Sequence, residues 1–576
     1  MARKALRSLL LIFCIQAVSS DTASAATKSF DDLCVEILGT LQSFYPVRAT
    51  EMGIHAYDHR LADYSSSSVK KMIESLKKYE KQLHQYQATD LPDHQRYNLR
   101  LIKSNVDIAL LDVQRIAWHE RSPQLYIDEA LNGIYFLMLS DHAPPEGRLV
   151  PIISRMKAVP GLLALARQNL KNPPQVYIDA ALQSLESGSQ FYQEVAAELA
   201  NEFPQRADEI MQVSTQARES MNEFSTFLAG LSPGPETAFA IGRENFDYKL
   251  QHEYFLEFDA DSLLRIGERL LAEAQQAYRD QEADVEANHQ SGRDSLFVPA
   301  NFTKQDIVDY INWEVNQVKI FLEQDGIVTV PDNIASVSIM ETPPFLRTMI
   351  GGIAYQPAGP FDSIQHGYFY VRPIPDDLDR SELEARYRFV HRRGFKGSVV
   401  HEAYPGHHLQ LQIAGMNDDP VRKWQFDNMM IEGWALYCEE MMYHAGLYGD
   451  EDPRQWLGVL GGIRFRAARI VADVKLHTGQ LTYDECVKWL IDAVEATSDS
   501  DKEYLRKEVR RYTLSPTYQM SYLMGKREIM ALRRAVEERD GDRFSLKAFH
   551  DALLAEGSIP PTLLWDILNL RQPDSE

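Results

Sequence analysis

The chain has 576 residues, and its 83 acidic against 60 basic side chains leave a formal net charge of −23. So acidic a surface argues against a nucleic-acid or anionic-membrane binder, while the length allows a large core and two or three subdomains. With only four cysteines, no disulfide framework can hold the fold together.

Residues 1–25 read as a secretory signal. Arg3, Lys4 and Arg7 form the positive start, Leu9 to Val18 the apolar core, and Ala23-Ser24-Ala25 a small-residue site with cleavage expected after Ala25. Phe13 is too large for the usual lipidation site before Cys14, which favours a released, soluble protein, secreted or periplasmic. The apolar core is too short for a membrane span, and no later stretch reads as one, so no membrane insertion is expected. Cys34, Cys438 and Cys486 remain in the mature chain, enough for one internal disulfide at most.

From 27 to about 325 the pattern is helical. Ser66–Tyr86 is amphipathic behind a serine cap, and Asn98–Ile116, Ala180–Leu199 and Ala207–Leu228 repeat apolar residues at three and four. Asp261–Ala283 opens on a capping Asp-Ser pair. These are bundle helices, and no chemistry is assigned to them. Between about 326 and 376 the character changes to β-rich runs separated by Pro and Gly: Ile327–Val330, Ser336–Ile339, Ile353–Tyr355 and Tyr368–Val371. An edge strand of such a sheet could hold an extended peptide by backbone hydrogen bonds. Helices resume near Ser381. The reading divides the chain into a signal (1–25), a helical half forming one cleft wall (26–326) and a catalytic half (327–576).

The run His401-Glu402-Ala403-Tyr404-Pro405-Gly406-His407-His408 carries the chemistry. Its opening His-Glu pair suits a zinc hydrolase, the imidazole for the metal and the carboxylate to take a proton from the attacking water. The usual second histidine comes four residues later, where this chain has Pro405. In a regular helix a residue six positions on sits roughly 240° round the axis, and one seven on lies about 10 Å along it. Pro405-Gly406 is well placed to bulge the helix. Absorbing two residues brings His407 to the needed phase, and absorbing three brings His408. The first is preferred, with His408 then a supporting or substrate group. About thirty residues on, Glu432 interrupts the apolar helical run Met429–Tyr437, where a carboxylate is costly to bury unless paired or bound to metal. It fits the third ligand that some zinc hydrolases take from a second helix. Glu439 or Glu440 reads as a solvated or supporting group.

At these residues the chain resembles the bacterial family catalogued as domain of unknown function 885, a mostly helical relative of the gluzincin metallopeptidases. The likeness extends to Gly242–Glu244, Gly367–Val371, Arg469–Asp473 and Tyr522–Gly525, and so covers nearly all of the mature chain. It departs at Arg372, where a small polar residue is expected, which bears on substrate contacts and not on the metal. The resemblance implies a mainly α, zincin-like fold with a small sheet beside the metal helix and a deep cleft between helical halves. It also implies bound Zn2+ and action on a peptide substrate, with Tyr522 as donor to the oxyanion.

Arg469, Asp473 and His477 are four apart and share a helix face. Asp473 there could orient a ligand histidine, or belong to a plain ladder of charges. The favoured function is a secreted zinc peptidase with metal ligands among His401, His407, His408 and Glu432, and with Glu402 as general base. Exopeptidase action, as of a carboxypeptidase, and endopeptidase action both stay open. The rivals are a secreted helical binding protein on a degenerate scaffold and a metal-storage protein.

Overall fold

The computed structural model describes residues 29–288, 297–347, 352–391, 393–449 and 453–571, and the expected signal segment lies outside them. The architecture is mainly helical with one small sheet. Ser66–Leu83 shows why the helices form where they do. Ser65 accepts a hydrogen bond from the Ser68 amide as N-cap, and Val69, Met72, Leu76, Tyr79 and Leu83 are buried at three- and four-residue spacing. The other expected helices appear as Asp93–Leu110, which runs on into a π turn at Leu111–Ile116, and as Gln175–Glu202 and Ala207–Ala229. Ala260–Asn288 begins before the expected cap, because Asp259, not Asp261, accepts from the Ser262 amide at 2.9 Å.

One helix corrects the expectation that no later stretch is long and apolar enough for a membrane. Pro145–Asn169 meets both tests by length and composition. It nonetheless packs as a core helix, burying Leu149, Ile153, Met156, Val159 and Leu163. The fully buried Arg155 guanidinium donates to the Gly133 carbonyl at 2.7 Å and to Thr50 Oγ1 at 2.6 Å.

The sheet has three strands, β1 (Val337–Glu341), β2 (Ala354–Gln356) and β3 (Gly367–Val371), in the order β1-β3-β2. Central β3 runs parallel to β1 and antiparallel to β2. Ile327–Val330 is not a strand. Its backbone is satisfied by side chains from the Leu546–Ala555 helix: Thr329 N donates to Asp551 Oδ1 at 2.7 Å, and the Ile327 carbonyl accepts from His550 Nδ1 at 2.8 Å.

Beyond the sheet come the helices that carry the site: Arg393–Glu402, His407–Gly415, Asn428–His444, Pro453–His477, Asp499–Leu514 and Tyr518–Asp540. A buried cluster joins Phe30, Leu185, Val399 and Trp565, so the core runs across residue 326. Ala260–Asn288 packs along Pro453–His477 and backs it. The three cysteines Cys34, Cys438 and Cys486 are buried and free, without a disulfide.

Candidate metal centre

The expected bulge is a complete break. Arg393–Glu402 ends, and a new helix starts at His407. Across the gap the regular ladder is replaced by longer reaches, Tyr404 N to the Val399 carbonyl at 3.2 Å and Gly406 N to the Val400 carbonyl at 3.0 Å. Only glycine fits at 406, because a Cβ there would lie 1.9 Å from the His401 carbonyl oxygen. Trp434 Nε1 donates to the Pro405 carbonyl at 2.8 Å and fastens the break to the helix bearing Glu432.

The break brings His401 and His407 together, with ring centroids 4.8 Å apart and planes at 85°. Glu432 Oε2 lies 3.5 Å from His401 Nε2 and 3.4 Å from His407 Nε2. Two donors each about 2.0–2.1 Å from a tetrahedral ion are roughly 3.3–3.4 Å apart, so the spacing suits zinc. Glu432 Oε2 and His407 Nδ1 are buried without a hydrogen-bond partner, an expensive condition for polar atoms. Donor chemistry and orphaned atoms thus both fit a cation held by His401, His407 and Glu432.

The surroundings set the roles of these groups. Glu439 Oε1 accepts from His401 Nδ1 at 2.8 Å, which leaves the Nε2 lone pair for the cluster. Glu439 sits seven residues after Glu432, on the same helix face. In the protein alone, burial would lower the His401 pKa, but the neighbouring carboxylates of Glu432 and Glu439 outweigh it and lift the group to about 10. Burial would likewise raise Glu432, yet the two imidazoles hold it well below the usual carboxylate range. Glu402, the last residue of its helix, has Oε2 4.0 Å from His407 Nε2, and burial pushes its pKa up against the pull of the two imidazoles.

The Tyr518 hydroxyl donates to the other Glu432 oxygen and lies 2.9 Å from the Tyr522 hydroxyl. Tyr522 stacks its ring on His401 at 6.4 Å between centroids. Both tyrosines reach the cluster because their helix touches the Glu432 helix backbone to backbone. A Cβ on Gly525 would lie 1.9 Å from the Met429 carbonyl oxygen, and one on Gly433 would lie 2.5 Å from Gly525.

These groups open into a pocket of about 580 Å³. Its lining includes Ile353 and residues Ala354 and Tyr355 of edge strand β2, Glu402 and the cluster, and Arg466, Arg469 and Arg511. The described residues that line it lie between Gly352 and Tyr522.

A family model described as "Bacterial protein of unknown function (DUF885)" matches residues 46–568. The chain belongs to the DUF885 family. Two solved structures share its fold. A candidate lipoprotein of unknown function from Shewanella oneidensis, 22% identical, aligns over 94% of this chain and 100% of its own with a TM-score of 0.74. A candidate lipoprotein from Colwellia psychrerythraea, 18% identical, aligns over 94% and 98% with a TM-score of 0.75. No curated protein matches the chain.

Two of the candidate site residues of this DUF885 chain lie apart from the cluster. His408 stays outside the cluster because both ring nitrogens are engaged: Nε2 donates to the Ala335 carbonyl at 2.9 Å, and Nδ1 meets the Tyr355 hydroxyl at 2.9 Å. Burial lowers its pKa to about 4. It is a strut between the break and β2. Asp473 orients no ligand histidine. Its Oδ1 accepts from the Thr517 amide at 3.1 Å, so it secures the start of the helix that presents Tyr518 and Tyr522. Burial pushes it up to about 7, against the pull of the Thr517, Met520 and Gln519 amides. The role expected of Asp473 falls to Glu439. The sequence reading chooses Tyr522 from the phenols of the Tyr518–Arg527 stretch, although the four-residue spacing puts Tyr518 on the same face.

Proposed function

We propose that this DUF885 chain is a zinc-dependent peptidase that hydrolyses amide bonds of peptides. The observation that carries the reading is the convergence of His401 Nε2, His407 Nε2 and an unpartnered Glu432 Oε2, all buried, with Glu402 beside them. When bound, zinc supplies a Lewis acid that polarises the scissile carbonyl and makes water more acidic. The chain's own residues do the rest. Glu402, its proton affinity raised by burial, takes the proton of the attacking water and passes it to the leaving amine. Tyr522, with Tyr518 hydrogen-bonded to it, is placed to donate to the oxygen that gains charge. Edge strand β2 offers backbone groups to an extended substrate.

The same reading takes the helical architecture as zincin-like, with 327–576 as the catalytic half and 26–326 as its support. It places the protein in the periplasm or outside the cell after cleavage of the signal. The description of both structural relatives as candidate lipoproteins supports an extracytoplasmic site.

The test is a peptide-library digest read by mass spectrometry, with and without a chelator. Cleavage that stops on chelation and returns with Zn2+ is expected. Metal uptake without cleavage would favour a storage protein, and no uptake and no cleavage a binding protein.

A further inference from the structure

One arginine in the pocket is buried with no carboxylate bound to it, although Glu508 and Asp473 act on it through space. Arg469 is 3% exposed, its Nε has no partner, and it makes no ion pair within 4 Å among the described residues. Its Nη2 donates to Gln519 Oε1 at 2.6 Å, and its guanidinium lies 4.2 Å from the centroid of the Tyr522 ring. A neutral amide and an aromatic face only partly offset the cost of burying such a cation.

Of the nearby carboxylates, Glu508 and Glu439 are bound by other groups, and Asp473 turns to the amides that open the Tyr518 helix. Glu508 accepts from Arg511 Nη2 at 2.8 Å and from the Tyr512 hydroxyl at 3.1 Å. Glu439 is shared by His401 and Arg466, whose Nη2 is 3.6 Å away. Arg466, 5.7 Å from the Tyr522 centroid, also has an unpartnered Nε. This end of the pocket therefore carries three guanidiniums, with one carboxylate, Glu508, fully devoted to them. Guanidinium is the group that receives a carboxylate through paired, directed hydrogen bonds.

Placement makes the anion specific. The Tyr522 ring lies 6.4 Å from the His401 ring and 4.2 Å from the Arg469 guanidinium, so a cluster histidine and the unpaired cation border the same ring. A peptide's terminal carboxylate lies one residue, about 3.8 Å between Cα atoms, beyond its last amide bond. Charge-assisted hydrogen bonds add roughly 2.8 Å more. Because Arg469 and His401 border the same Tyr522 ring, a group received at Arg469 suits the terminal carboxylate of the residue being released.

Resting on the peptidase reading above, we propose that Arg469, flanked by Arg466 and Arg511, receives the free C-terminal carboxylate of the substrate, so that the enzyme removes residues from the carboxyl end. The substrate spans the pocket from β2, across the cluster, to the arginines.

The test uses binding as well as turnover, so that the two readings fail separately. A matched pair of peptides, free acid and C-terminal amide, is titrated calorimetrically into Glu402→Gln, and the same pair is offered to the wild type for cleavage. The free acid is expected to bind about tenfold or more tighter than the amide. Arg469→Gln in the Glu402→Gln background should erase that difference with zinc content unchanged. In the wild type only the free acid should be trimmed, from its carboxyl end. Equal binding of the two forms to Glu402→Gln overturns the carboxylate site, whatever the wild type cleaves. So does an amide peptide whose acidic side chain restores tight binding. Preferential binding of the free acid with no cleavage by the wild type would count against peptidase action and leave the carboxylate site standing.

Discussion

Two clusters among the described residues hold two histidines and at least one carboxylate within reach of a single ion, and they differ in how their hydrogen bonds are spent. In the first, His55 Nδ1 is 2.8 Å from Asp58 Oδ2 and His55 Nε2 is 2.8 Å from Asp362 Oδ1. Both nitrogens are hydrogen-bonded to separate carboxylates, so neither is left over for an ion. Burial would lower the His55 pKa, but the bonds to Asp362 and Asp58 lift it to about 9. His142 stacks on that ring at 3.5 Å and meets Ser140 Oγ through Nδ1. This cluster is an ion-paired clip joining an N-terminal turn to the segment before β3. In the second, Glu439 takes the outer nitrogen of His401, and the inner nitrogens of His401 and His407 face a carboxylate oxygen that nothing else satisfies. Residue type does not distinguish a metal site from a clip. The placement of the supporting hydrogen bonds does.

The largest expected effect would break the comparison if it failed. His407→Ala and Glu432→Ala should each lose zinc after dialysis as completely as His401→Ala, whereas His55→Ala and His142→Ala keep the wild-type zinc content, measured by plasma emission. Next, Glu402→Gln should lower kcat by about 10²–10⁴-fold with zinc content unchanged, since the proposed role of Glu402 is to move a proton and not to hold metal. Turnover at the wild-type rate would remove it as the base.

A smaller effect sharpens the role of the supporting shell. Glu439→Gln should weaken zinc affinity by about 10–100-fold in a competition titration, because the amide no longer fixes the His401 tautomer by charge. Asp473→Asn, which touches no cluster histidine, should leave that affinity unchanged.

How much of this was legible follows from what each inference needed. The His401-Glu402 pair and Glu432 could be read because their signals are local: a short motif, and a carboxylate inside an apolar helical run. The sheet was legible where a run pairs with its neighbours, as Tyr368–Val371 does, and not at Ile327–Val330, where Asp551 and His550 take the backbone bonds. The spacing of His407 showed that the helix must deform, but the clash that demands Gly406 involves the His401 carbonyl and is a matter of three-dimensional packing. Asp473 and Glu439 looked alike as helical acids. Only the crossing of helices decides which one reaches His401.

The smallest expected effect belongs to the clip. A folded-state pKa of about 9 against an ordinary 6.5 means that the His55 contribution to stability is fully present below pH 6.5 and is lost as the pH rises through 9. Thermal melts should therefore show wild type and His55→Gln converging over that window. A constant gap between them from pH 6 to 10 would deny the clip its charge.

The account's central claim is that one of these clusters binds zinc and the other does not. Anomalous scattering from a crystal grown with zinc, collected on both sides of the zinc absorption edge, addresses both at once. The account predicts a peak about 2.0–2.1 Å from His401 Nε2, His407 Nε2 and Glu432 Oε2, and none at His55, Asp58 and His142. A peak at the clip, or none between His401, His407 and Glu432, would contradict it.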